Sequence, residues 1–411
     1  MLKLKSLIAA MLCVTATAAC AQTQTSAVAD AAAPAPSEAE VLQSLQARAL
    51  QGEVTGPLFW STAERRVAFK NLDKILPARK LAKGANVYPL DSAPTDLSDV
   101  TYEVEGKTHK VGDLLQHPSM IGLAVSHNNK LLLEHYAPGN DASSVWVSFS
   151  VSKSVTSMLI GAAIADGYIE SVDEPVAHYL PRLRGTPYEE ATIKDVLNMA
   201  SGIAWNEDYA DPNSDVANAG GLNGIELVNY LAKLPLEAEP GTRFNYNTGE
   251  TNLVGEILRS AIGNNASTYL MRKIWQPFGM EYDAWWAMDA PFGAELGGCC
   301  ISATLRDYVR LGIFAMQGGQ LTDGTQVLPE GFMADSTGPS QGANFYGYLW
   351  WLFGDRGYAA QGIFGQMIRV FPEDNLVIAV HSNADAAVDT PYHQHYGAAV
   401  EAIRDAVISA Q

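Results

Sequence analysis

The chain has 411 residues, of which 47% are hydrophobic and 9% aromatic. A chain of that length and apolarity buries a large core, which excludes disorder for its bulk. Lys and Arg total 27 against 45 Asp and Glu, a formal charge of −18, and that sign disfavours nucleic acid and anionic lipid as partners.

Residues 1–21 carry the marks of a signal peptide. Lys3 and Lys5 form a basic start, Leu7 to Ala19 is apolar, and small residues follow at Ala16, Ala18, Ala19 and Ala21. The apolar run is too short to span a bilayer. Two processing routes fit. Ala18-Ala19-Cys20 resembles a bacterial lipobox, with Cys20 acylated, although Thr17 departs from the larger aliphatic residue preferred there. The other route is ordinary cleavage after Ala19 or Ala21. Either way the chain is expected to leave a bacterial cytoplasm, as a periplasmic protein or a membrane-tethered lipoprotein.

Residues 22–50, rich at first in Ala, Thr, Ser, Pro and Gln, are expected to be a flexible tether, and 51–411 the folded domain. Ile121 to Ser126 and Leu131 to Tyr136 predict a hairpin turned at His127-Asn128-Asn129-Lys130. A helix follows from about Ser150 to Asp166, stopped by Gly167. Helical patterns and loops run on to about Met316. Strands return at Gly347 to Phe353, Gln366 to Phe371 and Leu376 to His381, the last two turned by Pro372-Glu373-Asp374-Asn375, and a closing helix spans Tyr396 to Ile408. Strands at both ends of the chain and helices between them predict an α+β fold: an antiparallel sheet flanked by helices, with a helical lobe and a cleft between.

Ser150-Val151-Ser152-Lys153 is a Ser-x-x-Lys at the start of the first long helix. That helix is small or apolar nearly all round as far as Ala165, so it should be buried. Lys153 is its only charge before Asp166. A buried ammonium costs several kcal/mol, roughly, unless paired. The positive end of the helix dipole opposes it by a further 0.3–1 kcal/mol, roughly. Both effects lower a lysine pKa, as a general base requires. Three residues of spacing put the Lys153 amine within reach of the Ser150 hydroxyl. The helix N-terminus favours the anion formed when that hydroxyl attacks a carbonyl. The competing structural account is a capping serine with a snorkelling lysine.

Other patterns carry less. Gly338-Pro339-Ser340-Gln341-Gly342, with Asp385 and His393 behind it, has the order of an α/β-hydrolase elbow but lacks the strand before and the helix after. His393-Gln394-His395 has no third ligand at metal-site spacing and is expected in a solvated loop. Cys299 and Cys300 are expected as small buried residues in a Gly-rich turn, because adjacent cysteines rarely bridge. No metal or cofactor is expected.

Three segments in order resemble the class C β-lactamase-like serine hydrolases. They are Ser150-Val151-Ser152-Lys153-Ser154, the stretch Thr192 to Ile203, and Phe244-Asn245-Tyr246-Asn247-Thr248-Gly249. The Tyr-x-Thr-Gly form of the last is similar to the 6-aminohexanoate-dimer (nylon oligomer) hydrolase branch. The resemblance implies Ser150 as nucleophile, Lys153 and Tyr246 as proton carriers, and the backbone N–H groups of Ser150 and Ile363 as oxyanion donors. It also implies a substrate contact at Tyr209, to which Trp205 and Gln366 are added as weaker candidates. The substrate would be a small amide or ester. A carboxylesterase of the same family, or a binding protein on the penicillin-recognising fold, are the alternatives. The family's Lys-Thr-Gly strand is represented by Ala360-Gln361-Gly362, so the lysine that binds a β-lactam carboxylate is missing.

Overall fold

A computed structural model describes residues 36–51 and 56–410. The proposed signal peptide, Cys20 and the first part of the tether lie outside the described residues. The chain divides into a unit ending at Ser37 and a unit from Glu38 onward. Glu38–Leu50, expected as tether, is a helix. Leu45 is fully buried in it, with Val41, Leu42 and Ala49 packed on the same core. Apolar positions at intervals of three and four explain the difference: they make one sticky face on an otherwise polar segment.

The main sheet has seven strands. Their spatial order is Trp351–Leu352, Tyr358–Gly362, Gln366–Phe371, Leu376–Ser382, Met120–His127, Lys130–Tyr136 and Asp91–Ser92. All neighbours are antiparallel except the last pair. The two expected hairpins are present. Asn128 and Asn129 take φ of 50° and 62° at one turn, and Asn375 takes 47° at the other. These are left-handed positions that Asn tolerates better than most residues. The central strands are buried on both faces, which is why they read as unbroken apolar runs. Ile368, Val370, Val377 and Ala379 face the large core under the helical lobe. Met367, Phe371, Ile378 and Val380 face the closing helix on the other side. Each such side chain contributes about 1.5–3 kcal/mol of burial.

Four features differ from expectation. Gly347 to Trp350 is a turn, and only Trp351–Leu352 pairs as a strand. The closing helix begins at Thr390, capped by the Asp389 carboxylate and with Pro391 in its first turn. It therefore carries His393 and His395, which had been expected in a loop. A second, four-stranded antiparallel sheet joins Ala78–Leu81, Ala284–Ala287, Ile301–Thr304 and Val145–Val147. Its strands are too short and too scattered along the chain to announce themselves. Cys299 and Cys300 are joined as an adjacent disulfide across a cis peptide, contrary to the expectation of free thiols.

Candidate active site

The helix Val151–Ala165 is buried at every position from Val151 to Ala163. Ser150 stands at its N-terminal end, partly exposed to the cleft. The preceding residue, Phe149, holds φ 45°. Phe364, which follows Ile363, holds φ 61°. Non-glycine residues rarely adopt such values. The two rings pack 5.3 Å apart, and both pack on Phe69. The aromatic cluster thus holds two strained backbone positions, one beside each expected oxyanion donor.

Gly362, the last residue of strand Tyr358–Gly362, closes this corner. A Cβ there would lie 2.4 Å from the Ser148 carbonyl and 3.1 Å from the Ser150 nitrogen. The glycine lets the strand approach the start of the Val151–Ala165 helix closely.

Tyr246 comes from the loop before helix Thr248–Ile262, which Asn247 caps through the Glu250 N–H. The segment Thr192 to Ile203 cradles that loop. Asn245 N–H donates to the Met199 carbonyl at 2.7 Å, and Asn247 N–H to the Met199 sulfur at 3.2 Å. Behind the loop, Tyr188 and Ser201 both donate to buried Glu250. Burial pushes the Glu250 carboxyl up to about 8, so it is largely neutral at physiological pH. The Tyr246 ring stacks on Trp351 at 5.7 Å, and Tyr246 lines the same cavity as Ser150.

Lys153 is 1% exposed. Its amine donates to the Thr248 hydroxyl at 3.0 Å and the Gly298 carbonyl at 2.9 Å, and sits 5.5 Å from the Tyr246 ring centroid. Both partners are neutral oxygens. Burial brings the amine down to about 8, against the opposing pull of the Glu207 charge. Burial, reinforced by Glu207, pushes the Tyr246 hydroxyl well above its ordinary value, and the neighbouring Ser150 offsets part of this. Tyr246 is therefore a phenol at neutral pH, while a useful fraction of Lys153 is free amine.

Glu207 was not among the residues the sequence singled out. It accepts from the Thr248 N–H at 3.0 Å and the Tyr209 hydroxyl at 2.8 Å, and also from the Thr248 hydroxyl and the Trp205 indole. In sequence it is one acid in a polar loop, where a solvated carboxylate is the default. Nothing local marks it.

Ser150, Lys153 and Tyr246 thus converge, and Ile363 lies beside Ser150 in the cleft. Tyr209 lines the cleft as expected. Trp205 does not line it: its ring packs where a Cβ on Gly249 would come within 2.8 Å, and it supports Glu207 from behind. Gln366 does not face the cleft either. It is fully buried, donating to the Ser382 carbonyl at 2.7 Å and accepting from the Ser382 N–H at 3.0 Å. Strand alternation explains this: Gln366 pairs with Gly362 across the turn, and its side chain points inward. Ser340 sits in a loop with no strand before it and no helix after it, so it forms no nucleophile elbow.

Known proteins share the family and the fold of this chain. Residues 110–402 match the Beta-lactamase family. The 6-aminohexanoate-dimer hydrolase of Paenarthrobacter ureafaciens is 28% identical over 360 residues, covering 80% of this chain and 88% of that protein. A Bacillus anthracis protein assigned as a 6-aminohexanoate-dimer hydrolase has a similar structure, with a TM-score of 0.73 at 20% identity over 83% of this chain and 94% of that one. A family VIII carboxylesterase is similar at TM-score 0.53 and 17% identity, covering 69% and 93%. The fold expected from the sequence, α+β with a penicillin-recognising sheet, is the fold observed.

Proposed function

The chain belongs to the β-lactamase family, and from that premise we propose a serine hydrolase that cleaves small amides or esters through an acyl-enzyme on Ser150. The observation that carries this reading is a buried lysine held by two neutral oxygens, one helical turn from Ser150 and 5.5 Å from the ring of Tyr246, which shares a cavity with that serine. In this mechanism Lys153 as free amine is the base. Tyr246, a phenol between Lys153 and the reacting centre, passes the Ser150 proton on to the leaving group. The backbone N–H groups of Ser150 and Ile363 stabilise the oxyanion. Water then attacks the ester by the reverse proton path.

A β-lactam is a poor candidate substrate. Strand Tyr358–Gly362 presents Ala360 and Gln361 where a lysine and a threonine would bind its carboxylate, and among the described residues no Lys or Arg lines either cavity beside Ser150. The amidase reading draws on the likeness to the Paenarthrobacter enzyme, the esterase reading on the carboxylesterase neighbour. A fluorophosphonate probe tests the common core: it should label the wild type and leave Ser150→Ala unlabelled. Equal labelling of the two would end the proposal. Turnover of short acyl p-nitrophenyl esters beside that of 6-aminohexanoate dimer then separates esterase from amidase. The N-terminal pattern further supports export with a lipid anchor on Cys20, and Cys20→Ser should then move the protein from the membrane to the soluble periplasmic fraction.

A further inference from the structure

Two cavities meet at Ser150, and their chemistry differs. The larger, about 560 Å³, is walled by side chains such as Pro57, Leu58, Phe149, Val216 and Leu296, with no acidic or basic side chain among the described residues that line it. The smaller, about 300 Å³, contains Glu207, Tyr246 and His393. Ser150, Tyr209 and Ile363 line both, so a carbonyl in the oxyanion site lies at the junction and its two substituents diverge. Tyr246 lines only the smaller cavity. The group that receives the tyrosine's proton must therefore leave through that arm, which sends the acyl chain into the larger one.

From this arrangement we infer that the larger cavity is an acyl chamber for an uncharged, apolar chain, and that the Glu207 arm takes a leaving group without a carboxylate. The inference rests on the serine-hydrolase reading above. In the step it describes, the Ser150 oxygen bonds to the carbonyl carbon, and the bond from that carbon to the leaving oxygen or nitrogen breaks. The serine proton ends on the departing atom. Water later releases the acid and restores the serine hydroxyl. The volume falls in the range of small-molecule pockets and fits a chain of about six to ten carbons. An ammonium at the end of that chain would meet no counter-charge in an apolar wall. A carboxylate on the leaving group would face Glu207. The 6-aminohexanoate dimer carries both liabilities, an ammonium on its acyl half and a carboxylate on its leaving half.

The test uses the full chain and three p-nitrophenyl esters: acetate, octanoate and 8-aminooctanoate. Burial of each methylene is worth about a fourfold gain. The kcat/KM for octanoate should exceed that for acetate at least tenfold, and should exceed that for 8-aminooctanoate at least tenfold. Gly221 lines the chamber, and a Cβ built there meets nothing within 4 Å, so Gly221→Leu is the variant chosen to narrow it. This variant should cut the octanoate-to-acetate ratio at least fivefold. Ala217→Leu, on the helix Asp215–Ala219, should act the same way and serves if the first variant folds poorly. A flat chain-length profile, an 8-aminooctanoate rate equal to that of octanoate, or a ratio unmoved by both variants would overturn the chamber while leaving the serine hydrolase standing. Turnover that survives Ser150→Ala would remove the reading beneath it.

Discussion

Glu207 governs Lys153 without touching it. The Thr248 hydroxyl stands between them, accepting from the Lys153 amine at 3.0 Å and donating to the Glu207 carboxylate. The carboxylate favours the lysine's charged form, opposing the burial that favours the neutral one. Only the neutral amine can act as base. Removing the charge should therefore make the base available at lower pH.

Glu207→Gln keeps one acceptor oxygen for the Thr248 and Tyr209 hydroxyls, puts an NH2 opposite the Thr248 N–H and the Trp205 indole, and loses the charge. The acid limb of the kcat/KM profile should move toward acid by about 1 pH unit. In the wild type that limb should lie near 8, the value to which burial brings Lys153. A purely structural role for Glu207 would lower the plateau and leave the limb in place, and that outcome would discard the electrostatic coupling.

Lys153 is also a cost to stability. Its folded pKa, about 8, lies below the ordinary value of 10.5. Between those two values the unfolded chain binds more protons than the folded one, so stability rises with pH across that window. Below it the folded protein bears the full penalty of a buried amine. Lys153→Met removes the penalty, offset by the unpaired Gly298 carbonyl it leaves. The variant should be inactive yet more stable than the wild type by about 1–2 kcal/mol at pH 7. The gain should shrink as the pH approaches 10. Denaturant unfolding at pH 7 and pH 10 measures both, and a variant weaker at each pH counts against the account.

Much of this was legible in the chain. Ser150 and Lys153 stood out because one charge interrupts an apolar helix, and apolar runs bounded by turn residues located the central strands. What stayed hidden depends on distant partners. Glu207 gains meaning only when Thr248, some 40 residues on in the chain, is folded against it. Gln366 was misplaced because sequence gives the alternation of a strand but not which face meets the cleft. The small sheet escaped because three- and four-residue strands at Ala78, Val145, Ala284 and Ile301 carry too little pattern. The tether ended early because a weakly amphipathic helix needs its tertiary partner to form.

Gly362 is the corner on which the proposed oxyanion site depends. Gly362→Ala would place a methyl 2.4 Å from the Ser148 carbonyl and 3.1 Å from the Ser150 nitrogen. The strand must back away, and Ile363 with it. Loss of one oxyanion donor costs about 10²–10³ in kcat. We expect a fall of that order for p-nitrophenyl acetate, with slower fluorophosphonate labelling and a retained circular dichroism spectrum. A drop smaller than tenfold would argue that Ile363 is not a donor.

Gln366 separates a substrate contact from a structural clamp. Its amide bonds the Ser382 backbone in both directions, at 2.7 and 3.0 Å, and the Ser382 carbonyl also receives the Trp146 indole at 3.0 Å. Gln366→Met matches the volume but removes both partners of Ser382. The buried Ser382 N–H is then left unpaired, while its carbonyl keeps the indole. An orphaned backbone donor costs about 1–3 kcal/mol, so unfolding free energy should fall by about 2 kcal/mol. KM for acyl esters should stay within about twofold, since no part of the side chain reaches the cleft. A tenfold rise in KM with unchanged stability is the result that would return Gln366 to the substrate.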